Sequence, residues 1–315
     1  MNQTTRTLTG GAGAGTAGGT AAATGTDMAA VLTAAELEDK VTGWWRTGIS
    51  RITPGEILLR GYPVEQMIGN VSFTDTIWLL LRGELPDAGQ SALLEAALVA
   101  SVDHGPQAPS IAAARMAATC GVGLNNAVAN GVNMLGDVHG GAGQQCMEVL
   151  AELNGAASEG IDLDQAAWDL VGRYRLDKAH IPGFGHRFHP RDPRRDPLLG
   201  LVEEAVKEGV VGGWALRAGT ALERALAEGR SRPVPMNIDG ATAIIYSELG
   251  FPPQLGRGLF VISRGVGVLA HAWEEHRGGA RIKGPIPKPL LPAYNGPAPR
   301  DLLPPGTSGA QQGKG

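Results

Sequence analysis

The stretch Gly183-Phe184-Gly185-His186-Arg187, with Arg191, Asp192, Pro193 and Arg194 close behind, holds the residue types that proton transfer beside bound carboxylates requires. Glycine lets main chain approach a ligand closely. Arginine grips a carboxylate through two parallel hydrogen bonds, and histidine moves a proton near neutral pH. Two further clusters have the same character: His139-Gly140-Gly141-Ala142 upstream and Asn237-Ile238-Asp239-Gly240 downstream. Each also has a plain structural reading. His139 would end a helix beside a glycine turn, and Asp239 would cap a helix N-terminus. His104, in Val102-Asp103-His104-Gly105-Pro106, would sit at a helix C-terminus. Arg264 is the oddity, because it lies near the apolar stripe of a helix that offers no acid before it. A buried arginine needs an anionic partner, and a ligand carboxylate would supply one. Together the clusters point to an enzyme.

A chain of 315 residues can bury a large core in one or two domains. A formal net charge of -4 argues against bulk nucleic-acid binding. Basic residues are clustered instead: seven Lys or Arg fall from Arg173 to Arg195, in a run broken by glycine and proline that suits an anionic small molecule. The two cysteines, Cys120 and Cys146, sit in Ala/Gly/Met-rich surroundings that read as helix interior. They are expected to be buried, reduced thiols, in keeping with a cytoplasmic protein. The histidines lie in separate motifs without ligand spacing, so no metal site is expected. No apolar run is long enough to cross a bilayer, and the N-terminus lacks the charged start and leucine-rich core of a signal peptide.

Helices must position these residues. Aromatic and β-branched residues are sparse while Ala, Leu, Glu and Arg abound, which predicts an all-α fold. Ser72-Phe73-Thr74-Asp75 has the form of a capping box opening a helix through Ile77, Leu80 and Leu81, ended by Gly83 and Pro86. Helices are predicted over 87–102, 108–120, 124–135, 141–153 and 162–176, and an apolar helix over 241–249. The clearest runs from 256 to 276, where Leu259, Ile262, Val266, Leu269 and Trp273 recur at helical spacing and predict one buried stripe. A strand is suggested only around Arg51 to Leu59. Residues 1–27, almost all Gly, Ala and Thr, and 296–315, rich in Pro and Gly, are expected to be disordered tails.

Six motifs in order resemble those of the citrate synthase family, over about Thr47 to Pro287. They are His-Gly-x-x-x-x-Ser from His104, His-Gly-Gly-Ala from His139, Pro-Gly-Phe-Gly-His-Arg from Pro182, Asp-Pro-Arg from Asp192, Asn-Ile-Asp from Asn237 and Ser-Arg-Gly-Val-Gly-Val-Leu-Ala-His from Ser263. The resemblance implies a large helical domain (28–145 and 246–295) with an inserted smaller helical domain (146–245) that closes over the active site. It also implies a homodimer or higher assembly. On this sequence the catalytic trio would be His139, His186 and Asp239. In the synthetic direction Asp239 removes a methyl proton from acetyl-CoA, His139 hydrogen-bonds the developing enolate, and His186 protonates the oxaloacetate carbonyl. His104, Arg194 and Arg264 would hold the carboxylates of oxaloacetate or citrate. Pro182, Gly183, Phe184 and Gly185 would receive the CoA adenine, with Arg281 and Lys283 as further CoA contacts. Coenzyme A thioester enters as substrate, with no permanent cofactor.

Most of the family carries Arg-Pro near the C-terminus, whose arginine reaches across the dimer to a substrate carboxylate. Here Arg281-Ile282-Lys283-Gly284-Pro285 places glycine at that position. Uncompensated, the loss would weaken substrate binding by about 1.5–3 kcal/mol. The folded part is also short for a citrate synthase. Both features, with Ile-Ser-Arg-Ile at 49–52, Leu-Arg-Gly-Tyr-Pro at 59–63 and Ile-Lys-Gly-Pro-Ile-Pro at 282–287, look more like citryl-CoA lyase and the corresponding module of ATP-citrate lyase. The expected activity is therefore cleavage of citryl-CoA to acetyl-CoA and oxaloacetate. Citrate synthase comes second and 2-methylcitrate synthase third. A paralogue that binds CoA esters and regulates a partner is the non-enzymatic alternative.

Overall fold

The computed structural model describes residues 33–186, 189–232, 234–287 and 289–302. The tail expected over 1–27, Arg187 of the glycine–histidine motif and residues 303–315 of the C-terminal tail lie outside the described residues. Residues 296–302 have no helix or strand.

The chain divides into two compact units, at Val64 and Glu65. In the first, α1 (Ala34–Trp44) opens with a capping box between Thr33 and Glu36, a helix that sequence periodicity did not reveal. Its residues bury nothing within the unit. The strand expected over 51–59 is two strands, β1 (Ser50–Thr53) and β2 (Glu56–Leu59), paired antiparallel with Thr53 opposite Glu56. Pro54 and Gly55 make the turn, and Gly55 takes φ +82°, the left-handed conformation that glycine adopts without strain. A short β3 (Tyr62–Pro63) extends the sheet beside β2.

A single turn, α2 (Val64–Met67), leads into the second unit, where ten helices follow among the described residues. They are α3 (Phe73–Arg82), α4 (Ala88–Ser101), α5 (Pro109–Thr119), α6 (Leu124–Asn133), α7 (Ala142–Ser158), α8 (Leu163–Leu176), α9 (Arg195–Lys207), α10 (Trp214–Ala227), α11 (Ile238–Glu248) and α12 (Pro253–Arg277). The all-α expectation holds. α11 lies at the centre: Gly240 through Ser247 are all buried. It packs on α4, α7, α9 and α10, and Leu94, Met147, Leu150, Leu222, Ile244, Ile245 and Leu259 fill the core around it. Each such fully buried side chain contributes about 1.5–3 kcal/mol. A second, smaller core forms where α5, α6 and the far half of α12 meet, through Ile111, Ala114, Ala127, Val268 and Ala272.

Several expectations are corrected. Ser72 caps α3 through Asp75 N, but the Asp75 carboxylate turns to Ser91 Oγ instead of completing the box. Helices α9 and α10 have no local side-chain cap; Glu248, at the far end of α11, accepts from Gly213, Ala215 and Leu216 N and so caps α10 from a distance. Cys146 is buried, whereas Cys120 is an exposed C-cap residue of α5. The stripe on α12 faces outward. Leu259 is buried, but Ile262, Val266, Leu269 and Trp273 are 44–57% exposed. The buried face is instead Gly256, Leu259, Ser263, Arg264, Gly267, Val268, Ala272 and Glu275. Glycine explains the choice: a Cβ at Gly256 would lie 2.3 Å from Met147 Sδ, and one at Gly267 2.3 Å from Val102 O. The helix packs through its smallest side chains. The expected domain boundaries, at 145/146 and 245/246, fall inside α7 and α11. No described helix is long and apolar enough to cross a membrane.

Candidate active site

The loop bearing His186 is laced to the N-terminus of α11. Asn237 N donates to Gly183 O (3.0 Å), Gly185 N to Pro235 O (2.7 Å) and Asn237 Nδ2 to Gly185 O (2.7 Å). Gly183 takes φ +85°, and its carbonyl carries Gly240 against it so closely that a Cβ on Gly240 would stand 2.5 Å away. Phe184 is buried beneath. Asn237 is also the helix cap: its Oδ1 accepts from Asp239 N (2.9 Å) and Gly240 N (3.3 Å). Asp239 is therefore not the cap, and its carboxylate is left for other work. Among the described residues nothing donates a hydrogen bond to it. Burial raises its proton affinity, and Arg194 and Arg264 partly offset this.

Asp192 braces the same end of α11. Fully buried, it accepts from Arg194 Nε (2.9 Å), Arg194 Nη2 (2.8 Å), Arg194 N (3.0 Å) and Ile238 N (3.1 Å). Burial alone would raise its pKa, but these donors outweigh it and hold the carboxyl at about 2. Arg194 is thus already gripped by a protein carboxylate, although one Nη reaches only Ala100 O at 3.4 Å.

His139 lies in a tight turn before α7, against the N-terminus of α5. Ser110 N (3.2 Å) donates to its Nε2, and Ser110 Oγ stands 2.9 Å away. A main-chain N–H at Nε2 requires a lone pair there, so the ring's proton resides on Nδ1. Burial, then Arg264, lowers its pKa, which keeps the imidazole neutral. His186 is the mirror case: its Nδ1 accepts from His189 N (3.0 Å), which leaves the proton of the neutral ring on Nε2. Its pKa is lowered by burial, with His189 and Arg194 adding to the effect and Asp192 opposing it. His104 sits with its ring centroid 6.0 Å from that of His186. Burial lowers its pKa too, aided by Arg194 and Arg264.

Arg264 is 5% exposed and has no carboxylate within ion-pair distance among the described residues. Its Nε donates to Ser101 O (3.2 Å), and its guanidinium lies 4.8 Å over the Phe260 ring. Its charge acts on His104, His139 and Asp239 alike, so these groups surround one guanidinium. The site holds an unpartnered carboxylate, three neutral imidazoles and two guanidiniums. That set can move a proton on carbon, stabilise an enolate and bind a polycarboxylate.

Two expected contacts are not brought into this cluster. Lys283 pairs with Glu275 (3.0 Å), and its N–H donates to Thr119 Oγ1 (3.0 Å) at the C-terminal end of α5. His139 sits at the opposite end, nine residues away along a helix rising about 1.5 Å per residue. Arg281 is exposed beside Lys283. Pro182 to Gly185 lie at the cluster, and Phe184 and Gly185 also line a cavity of about 260 Å³ with Tyr174, Arg175, His180 and Arg230. A larger hollow of about 610 Å³ between α3 and α4, lined by Asp75, Asp87 and Glu95, touches none of these residues. Ser110, Asp192 and Asn237 stood inside the sequence motifs without an assigned role. The spacing of a capping Asn two residues before Asp239 was the signal for one of them.

Residues 40–100 and 87–286 match the family model described as citrate synthase, C-terminal domain. A citrate synthase of Haloferax volcanii is 29% identical over 206 residues, covering 65% of this chain and 52% of that protein. A citrate synthase of Corynebacterium glutamicum is 31% identical over 218 residues, covering 67% and 47%. The chain therefore spans about half the length of these curated relatives. Among solved structures, citryl-CoA lyase from Hydrogenobacter thermophilus is 35% identical with a TM-score of 0.72, covering 82% of this chain and 97% of that one. ATP citrate lyase of Methanosaeta concilii in complex with (3S)-citryl-CoA shares the fold at 21% identity and a TM-score of 0.65.

Proposed function

This chain belongs to the citrate synthase family, and from that premise we propose that it is a citryl-CoA lyase, cleaving citryl-CoA to acetyl-CoA and oxaloacetate. The observation that carries the reading is the Asp239 carboxylate, unpartnered and of raised proton affinity, among neutral imidazoles and two guanidiniums. In cleavage His186 takes the citryl hydroxyl proton as the carbon–carbon bond breaks, which requires its other tautomer: the ring proton moves to Nδ1, the hydrogen bond from His189 N is released, and Nε2 presents its lone pair. The electron pair becomes the acetyl-CoA enolate, whose oxygen takes a hydrogen bond from Nδ1–H of His139. Asp239 then delivers a proton to the terminal carbon and completes the methyl group. Arg264 and His104 hold carboxylates of the oxaloacetate portion, with Arg194 beside them. Synthesis runs the same steps in reverse, so the trio alone serves either direction.

Two observations favour the lyase: the near full-length match to citryl-CoA lyase of Hydrogenobacter thermophilus, and glycine at position 284. The half-length match to citrate synthases keeps citrate synthase, or a 2-methylcitrate synthase acting on propionyl-CoA, as the second reading. A paired assay separates them. Purified protein is given citryl-CoA, with oxaloacetate release followed, and separately acetyl-CoA plus oxaloacetate, with free CoA thiol followed. Fast cleavage with little free CoA supports the lyase, and rapid CoA release means a citrate synthase.

The same reading has the protein act as a cytoplasmic homodimer in which the smaller domain closes over the site. The outward stripe of Ile262, Val266, Leu269 and Trp273 on α12 is the surface a second copy would cover. The cavity beside Phe184 and Gly185, with Arg175, His180 and Arg230 on its wall, suits the adenine and phosphates of coenzyme A.

A further inference from the structure

We propose that His271 keeps the guanidinium of Arg264 available to substrate by holding the carboxylate of Asp103 away from it. The proposal rests on the reading of Arg264 as a carboxylate binder.

α12 presents Arg264, Gly267 and His271 on one face, at spacings of three and four, and residues 101–105 lie across that face. Arg264 Nε donates to Ser101 O (3.2 Å). A Cβ on Gly267 would stand 2.3 Å from Val102 O and 3.0 Å from Asp103 Oδ1. The Asp103 carboxylate therefore lies over Gly267, with the guanidinium about one turn to one side and the imidazole about one turn to the other. Opposite charges about one helix turn apart on one face readily pair, even with the Asp103 side chain 41% exposed. They do not pair here, although Asp103 is the foremost charge sustaining the protonated form of Arg264 against its burial.

His271 takes the carboxylate instead. Its Nε2 stands 3.3 Å from Asp103 Oδ1 and 3.4 Å from Oδ2, while Gly105 N donates to Oδ2 (3.2 Å). The orientation of the imidazole is itself imposed. Arg115 Nη1 stands 3.2 Å from Nδ1, so Nδ1 presents its lone pair and Nε2 carries the proton toward Asp103. Arg115 is fixed in turn by Glu274 (2.7 Å) and Glu275 (2.5 Å). Asp103 Oδ1 is buried and accepts no hydrogen bond, so this carboxylate has an unfilled demand for a donor. Without His271, the guanidinium of Arg264 lies about one turn along the same helix face, with N–H groups that donate to no carboxylate among the described residues. His271 is in this sense a positioning residue, acting on substrate through Asp103 and Arg264.

The test is calorimetric titration of the full chain with oxaloacetate, a dicarboxylate that needs no turnover to bind. His271→Phe keeps the ring volume and removes the donor, and it should weaken oxaloacetate binding about tenfold or more. Asp103→Asn added to His271→Phe should restore most of that loss, because an amide cannot neutralise a guanidinium. His271→Gln, which can still donate to Asp103 and accept from Arg115, should stay near wild type. A double variant no tighter than His271→Phe alone would overturn the proposal. Should the phenylalanine variant not fold, Asp103→Asn decides alone. Affinity equal to or above wild type is expected, and a clear loss would mean that Asp103 orients His104 instead. Arg264→Ala is the control on the premise. Undiminished oxaloacetate binding there would remove the carboxylate role of Arg264, and the proposal with it.

Discussion

The two guanidiniums of the site are prepared in opposite ways. Arg194 arrives paired, its fork closed on buried Asp192, and that pair also anchors the N-terminus of α11 through Ile238 N. Arg264 arrives more deeply buried and, among the described residues, with no carboxylate on it. A buried charge without a partner costs stability, and it persists where the surrounding fold over-determines its place. Arg194 therefore stiffens the site, and in the proposed reading Arg264 is the group left open for a ligand. The two imidazoles repeat the contrast: a main-chain N–H occupies Nε2 of His139 but Nδ1 of His186, which sets opposite tautomers on the same side chain.

The largest expected effect falls on the residue between these regions. Asp239→Asn should lower the rate of either direction by about 10³-fold, the scale of a lost general acid–base group, while ligand still binds by calorimetry. A variant with unchanged turnover would make the chain a binding module.

The arginines break or sharpen the comparison directly. Arg194→Ala strands Asp192 in the interior and should cost about 3 kcal/mol of folding stability, read by denaturant titration. Arg264→Ala should cost little stability and instead weaken oxaloacetate binding by about 1.5–3 kcal/mol. Reversed outcomes would exchange the two roles.

How far these roles were legible beforehand differs by element. The motifs around His139, His186 and Asp239 marked residues that the fold does gather, and Arg264 was marked by having no acid before it on its helix. The outward turn of Ile262, Val266, Leu269 and Trp273 was not legible, because periodicity shows that a stripe exists and not which way it faces. Gly256 and Gly267 decided that, by allowing a closer approach on the other side. α10 was missed because its cap is Glu248, distant in sequence, and α9 because it begins without a side-chain cap. Asn237 was read past in favour of Asp239, although Asn is an equally good cap.

A smaller effect is expected in acid. The Asp192 carboxyl is held at about 2 in the folded state, against about 3.9 unfolded. A depressed folded pKa stabilises above the unfolded value, so this contribution is full above about pH 5 and is lost as pH falls from about 4 to 2. It amounts to about 2.5 kcal/mol, and Asp192→Asn should flatten the stability curve in that window. An unchanged slope would mean that Asp192 titrates normally.

Smallest of all is Ser110→Ala. It removes one hydroxyl contact to His139 but leaves the main-chain N–H that sets the tautomer. The rate should fall by less than about tenfold, and a larger loss would shift the tautomer control to the hydroxyl.

The most direct measurement is cleavage of citryl-CoA in D2O, with the acetyl-CoA product weighed by mass spectrometry. Asp239 exchanges its proton with solvent, so one deuterium per acetyl group is expected, formed far more slowly by Asp239→Asn. Acetyl-CoA without deuterium, or undiminished labelling by Asp239→Asn, would contradict the assignment of Asp239 as the group that completes the methyl.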